Sequence, residues 1–181
     1  MMGCAVLTCG GAVINSGLLL PGETLLVLGL GGVGMSAILT GLAYNGVHVI
    51  GVDARTEKLE SARKFGAHEV YLPDDAREAG VKADVVVEAV GSAKALESAI
   101  ALTAPGGRTV TVGLPASDEY STISPLNLVA EGRSIIGSYM GSSIPSRALP
   151  IFINICREGR FAVEKLTSAE SELCRTSQSI D

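Results

Sequence analysis

The run Thr24-Leu25-Leu26-Val27-Leu28 leads directly into Gly29-Leu30-Gly31-Gly32-Val33-Gly34, a G-x-G-x-x-G turn set against a strand signal. A helical pattern follows. Met35, Ile38, Leu39 and Leu42 recur at i, i+3, i+4 and i+7, and Gly34, Ala37 and Gly41 form a neighbouring stripe of small residues. After Gly46, Val47-His48-Val49-Ile50-Gly51-Val52 reads as a second buried strand. It ends on Asp53, about 20 residues beyond the last glycine.

Each part of this stretch has a physical reason. Gly29 allows a tight turn, Gly31 lets the backbone approach a pyrophosphate with no Cβ in the way, and Gly34 lets helix and strand pack closely. The helix then opens with unpaired N–H groups and a positive dipole end directed at the phosphates. Asp53 is placed to accept hydrogen bonds from the 2′- and 3′-hydroxyls of an adenosine ribose, and its charge repels a 2′-phosphate. The stretch therefore points to a bound dinucleotide and favours NAD over NADP, although Arg55 and Lys58 lie close enough to attract a phosphate. The competing reading is a βαβ turn that binds nothing.

At 181 residues the chain is long enough for one ordinary core. A hydrophobic fraction of 47% against 18% charged residues suits an α/β domain whose strands are buried on both faces. A net charge of −5 without a basic cluster disfavours a nucleic-acid partner. Cys4, Cys9, Cys156 and Cys174 show no C-x-x-C pair or disulfide spacing, which leads us to expect a reducing cytosol. No targeting segment or membrane-length apolar run is visible, so no membrane partner is expected.

The opening Met1 to Pro21 has an apolar helical flavour but no decisive pattern. Later segments alternate. A helix is expected over about 56–65, with Thr56 as N-cap and Gly66 stopping it, then a short strand over 69–72. Residues 74–83 read as a loop with one helical turn, 84–90 as a central parallel strand and 92–103 as a helix. Pro105-Gly106-Gly107 then precedes a strand over 108–112. A short helix over 125–131, a sixth strand over 134–140 and a helix over 146–158 complete the pattern. This alternation predicts a Rossmann doubly wound parallel sheet of about six strands in the order 3-2-1-4-5-6.

Several stretches together resemble the zinc-containing alcohol dehydrogenases of the medium-chain dehydrogenase/reductase superfamily. They are Gly3-Cys4-Ala5-Val6-Leu7-Thr8, the Pro21-Gly22 turn, Val27 to Gly34, Ile50-Gly51-Val52-Asp53, Lys64-Phe65-Gly66-Ala67 and Val112-Gly113-Leu114-Pro115. The resemblance covers the cofactor domain only. It implies an NAD-binding domain over residues 1–160, of which 1–21 leads in from the domain junction. Residues 161–181 would begin the return to a GroES-like catalytic domain, poorly ordered here. The other part of that domain would precede Met1.

The resemblance also implies site residues. Cys4 matches one ligand of the catalytic zinc, whereas His48 and His68 read as structural. The fingerprint residues Gly29, Gly31, Gly32, Val33 and Gly34 would hold the pyrophosphate, and Asp53 the adenosine ribose. Thr8 and Val33 would flank the nicotinamide, Ala54 would lie near adenine and Lys58 near the adenosine ribose. Ala89, Val90 and Gly91 would border the nicotinamide ribose. The backbone at Val112, Ser138 and Met140, with Gly113 beside it, would hold the carboxamide. For the apolar members, ordinary strand-end packing would give the same sequence.

The implied activity is hydride transfer between an alcohol and NAD+, giving an aldehyde or ketone, with little turnover from this chain alone. Two rivals stand beside it: a truncated, non-catalytic dinucleotide-binding or dimerising module, and a zinc-free NADPH quinone reductase. The expected partners are a small alcohol or aldehyde and a second copy, joined through an edge strand at 134–140. Apolar surface is expected to be exposed around residues 1–20.

Overall fold

Alternate side chains of the central strands fill two separate cores. This is what a strand buried on both faces requires. The computed structural model describes residues 5–158 and Phe161. In β1 (Thr24–Leu28), Leu25 and Val27 point to one face while Leu26 and Leu28 point to the other. The same division holds in β4 (Ala83–Glu88), where Val85 and Val87 join the first core and Val86 the second. Each such side chain, fully withdrawn from water, is worth about 1.5–3 kcal/mol.

β2 (His48–Val52) and β3 (Glu69–Tyr71) extend the sheet on one side of β1. β5 (Thr103–Thr111) and β6 (Ser134–Gly137) extend it beyond β4. All pairings are parallel, in the expected order β3-β2-β1-β4-β5-β6. α1 (Leu7–Gly11), α2 (Gly32–Leu42) and α3 (Thr56–Phe65) cover the first face. α4 (Pro73–Glu78) and α5 (Ala93–Leu102) cover the second.

Several boundaries differ from the expectation, each for a local reason. The helical turn expected within 74–83 starts one residue earlier, at Pro73, and runs to Glu78. Pro73 stands at the start of α4, where its missing N–H costs nothing, and Asp74 and Asp75 favour the same end. Arg55 rather than Thr56 occupies the N-cap of α3; Gly66 ends that helix in the left-handed conformation as expected, at φ +112°. β5 begins at Thr103, because the Pro105-Gly106-Gly107 step is absorbed as an irregularity in its pairing with β4. α6 (Pro125–Ala130) and α7 (Pro145–Arg157) fall within a residue of their expected bounds.

The sixth strand is shorter than expected and stops at Gly137 rather than Met140. Met140, Gly141 and Ser142 all take left-handed backbone angles, at φ +50°, +67° and +48°, so the chain turns out of the sheet. A side chain on Gly141 would overlap the Leu7 carbonyl oxygen, and Asn15 Nδ2 donates to the Gly141 carbonyl at 3.0 Å.

The leading segment is likewise more built than its sequence suggests. α1 runs into a π-helical turn (Ala12–Ser16), marked by the Gly17 N–H bond to the Ala12 carbonyl at 2.7 Å. Val6, Leu7, Cys9, Ala12 and Val13 are buried, so the apolar exposure expected there is confined, among the described residues, to Leu18 and Leu20. Val6 and Leu7 pack with Leu39, Phe152 and Phe161, the last two meeting edge to face at 6.3 Å. The remainder of 161–181 lies outside the described residues.

Candidate functional site

The carboxyl ends of β1, β2 and β4 open onto one cleft of about 710 Å3, at the point where the strand order reverses. Gly29, Gly31, Asp53, Ala54, Ala89 and Val90 line it together. Lys58 lies in the first turn of α3 and is not among the lining residues.

Steric demands divide the glycines of the turn. Gly29 adopts φ +93°, and a Cβ there would meet Val90 Cγ2 at 2.7 Å. A Cβ on Gly34 would overlap the Gly29 carbonyl oxygen, so this contact holds α2 close against β1. Gly31 and Gly32 are different: a Cβ at either meets nothing within 4 Å. Their smallness is not demanded by packing within the protein. Gly31 is the N-cap of α2, no side chain caps that helix end, and Val33 follows in its first turn. Helix N–H groups without intrahelical partners are therefore available to an anion.

Asp53 is held before any ligand arrives. Its Oδ2 accepts from the Leu30 N–H at 2.7 Å and its Oδ1 from the Arg55 N–H at 2.9 Å. The first bond ties the middle of the glycine turn to the end of β2. Each oxygen keeps a further lone pair. Arg55 is exposed and lies 3.7 Å from Glu57.

Beyond Ala89 and Val90 backbone packs on backbone, and Thr8, Gly91, Val112, Gly113, Ser138 and Met140 are not among the residues that line the cleft. The Ala89 N–H donates to the Leu28 carbonyl at 2.8 Å. Gly91, at φ +83°, lies against Gly113 so tightly that a Cβ on Gly113 would overlap the Gly91 nitrogen. Val112 N–H donates to the Glu88 carbonyl, and Ser138 N–H to that of Thr111, both at 2.9 Å. Ser138 Oγ also meets Ser16 Oγ at 3.0 Å. Thr8 sits on α1, whose backbone backs onto the Met140–Ser142 turn. The segments carrying Thr8, Ser138 and Met140 thus converge, although they are far apart in sequence.

Glu88 was not singled out by the sequence reading. It is 1% exposed, and its Oε1 accepts from the Val90 and Gly91 N–H groups, both at 2.7 Å. The available signal was one acid inside an otherwise apolar, β-branched run. Nearby, burial first and the Glu88 charge second push the Cys9 thiol far above its ordinary range. Cys9 is accordingly a small core side chain and not a nucleophile.

The described residues do not fit a zinc ion. No group of three or more His, Cys, Asp or Glu side chains suited to a metal occurs among them, and Cys4 lies outside them. His48 and His68 stand at the amino ends of β2 and β3, opposite the cleft. His48 Nε2 bonds to Glu69 Oε1 at 2.8 Å, and His68 Nδ1 accepts from the Val49 N–H at 3.0 Å.

Comparison with known proteins gives concordant matches. The zinc-binding dehydrogenase family model matches residues 32–154. The geraniol dehydrogenase of Castellaniella defragrans is 31% identical over 173 residues, which cover 91% of this chain and 46% of that protein. A solved alcohol dehydrogenase zinc-binding domain protein from Burkholderia ambifaria is 27% identical with a TM-score of 0.90, over 98% of this chain and 50% of that one. A solved NAD-dependent alcohol dehydrogenase is 30% identical with a TM-score of 0.73, over 87% and 47%. The chain spans about half the length of these relatives.

Proposed function

This chain belongs to the zinc-binding dehydrogenase family, and we propose that it is the NAD-binding half of an alcohol dehydrogenase-type oxidoreductase. Such an enzyme moves a hydride between an alcohol and NAD+, giving an aldehyde or ketone. The observation that carries this reading is the open space above Gly31 and Gly32, flanked by an uncapped helix end and a pre-set Asp53 carboxylate. In it, the glycine turn and α2 bind the pyrophosphate, and Asp53 accepts from the adenosine ribose and repels a 2′-phosphate. Ala54 lies at the adenine end and Val90 at the cleft wall, with Lys58 adding charge nearby. Thr8, Val33, Ala89, Gly91, Val112, Gly113, Ser138 and Met140 border the nicotinamide end. The acid at Asp53 weighs against an NADPH quinone reductase.

Among the described residues no donor set fits zinc. A catalytic zinc needs three protein ligands and an open position. The purified 181-residue polypeptide is therefore expected to bind NADH yet give no alcohol-dependent NADH formation above buffer. Sustained absorbance growth at 340 nm with NAD+ and ethanol or geraniol would contradict this. The same mismatch favours, as second reading, a dinucleotide-binding module without turnover of its own.

The reading also includes a homodimer through β6. That strand is an edge of the sheet, and Leu114, Tyr120, Leu126 and Val129 are exposed in the preceding loop and α6. Light scattering at micromolar concentration should give a dimeric mass; a monomer with native circular dichroism would rule the pairing out. Among the described residues no helix is long and apolar enough to cross a membrane. We place the protein in the cytosol, where the buried Cys9 thiol suits a reducing compartment.

A further inference from the structure

We infer that Glu88 is a positioning residue for the nicotinamide end of the bound dinucleotide, acting through the backbone of Ala89–Gly91; the inference rests on the dinucleotide reading above. A carboxylate at the end of a central strand, beside Val85, Val86 and Val87, is costly to bury unless its oxygens are satisfied. Here they are. Oε1 receives the Val90 and Gly91 N–H groups, and Oε2 receives Thr111 Oγ1 at 2.7 Å. The Glu88 main-chain carbonyl receives the Val112 N–H.

One residue therefore ties the Ala89–Gly91 turn, whose Ala89 and Val90 line the cleft, to the Val112–Gly113 turn packed against it. Its side chain fixes the Ala89–Gly91 turn to β5, and its backbone fixes the start of the Val112–Gly113 turn. Oε1 would lie 3.2 Å from a Cβ on Gly113, so the carboxylate sits at the seam where the two turns meet. The adenosine side is built separately, on Asp53 and the glycine turn, with no bond to Glu88. Losing the carboxylate frees two N–H groups in the wall and loosens the spacing between the nicotinamide-ribose and carboxamide segments. The adenosine and pyrophosphate contacts stay in place.

The test compares NADH with ADP, which carries the adenosine and pyrophosphate but no nicotinamide riboside. Glu88→Val is expected to weaken NADH about 30-fold and to reduce the blue shift of bound NADH emission, while ADP affinity stays within about twofold. Glu88→Gln can still accept from both N–H groups and donate to Thr111 Oγ1, so it is expected to recover NADH affinity to within about threefold. If Glu88→Val does not fold, Thr111→Val supplies the comparison and should weaken NADH several-fold against unchanged ADP. An unchanged NADH-to-ADP ratio in the folded variants would overturn the proposal alone. Failure of the unmodified chain to bind either ligand would instead remove the dinucleotide reading, and this proposal with it.

Discussion

Gly31→Val should abolish NADH binding while leaving the fold intact, and Gly34→Ala should damage the fold itself. The two glycines belong to one motif but answer to different neighbours. A Cβ on Gly31 meets no protein atom within 4 Å, and its backbone at φ −72° suits any residue. The Cβ of a valine there projects into the space assigned to the pyrophosphate. Loss of about two charge-assisted hydrogen bonds corresponds to at least roughly a 100-fold loss in affinity. A Cβ on Gly34 overlaps the Gly29 carbonyl oxygen, a backbone atom that cannot rotate away. α2 must then lift from β1, with an expected loss of about 3 kcal/mol. Urea unfolding followed by circular dichroism, beside NADH fluorescence, separates the two effects. A Gly31→Val protein that binds NADH normally would remove the pyrophosphate from this turn.

Asp53→Ala should lower NADH affinity by about 100-fold and bring the NADH-to-NADPH ratio close to one. Two effects combine. The ribose loses its acceptors, and the Leu30 N–H loses the bond that ties the glycine turn to β2. The first effect falls on NADH alone, because the carboxylate repels the phosphate of NADPH. The second weakens both ligands. Asp53→Ala is therefore expected to lose NADH selectivity without becoming a good NADPH binder. A variant that retains the original ratio would show that Asp53 does not read the ribose.

Much of this was legible because it is local. The strand at Thr24–Leu28, the glycine turn and the small-residue stripe of α2 lie in one continuous stretch, and the sheet order follows from alternation and right-handed crossovers. What was not legible depends on distant partners. The leading segment carries no clear period, because its buried face is defined by Phe152, Phe161 and the Met140–Ser142 turn. The sixth strand has apolar residues enough to continue, but Gly141 must press against Leu7, and the chain leaves the sheet at Gly137. Glu88 was read only as part of the strand over 84–90, since its Thr111 donor is brought to it only when β4 and β5 pair and its local donors depend on the turn at Val90 and Gly91. The ribose acid was legible by position; its bond to Leu30 was not.

A cleft built on Gly31 and Asp53 should bind NAD in preference to NADP. The most direct measurement is a fluorescence titration of the purified chain with NADH and, in parallel, NADPH. Saturable NADH binding at least about tenfold tighter than NADPH is predicted from the charge of Asp53. Binding of neither ligand by a chain with native circular dichroism, or tighter binding of NADPH, would contradict the account.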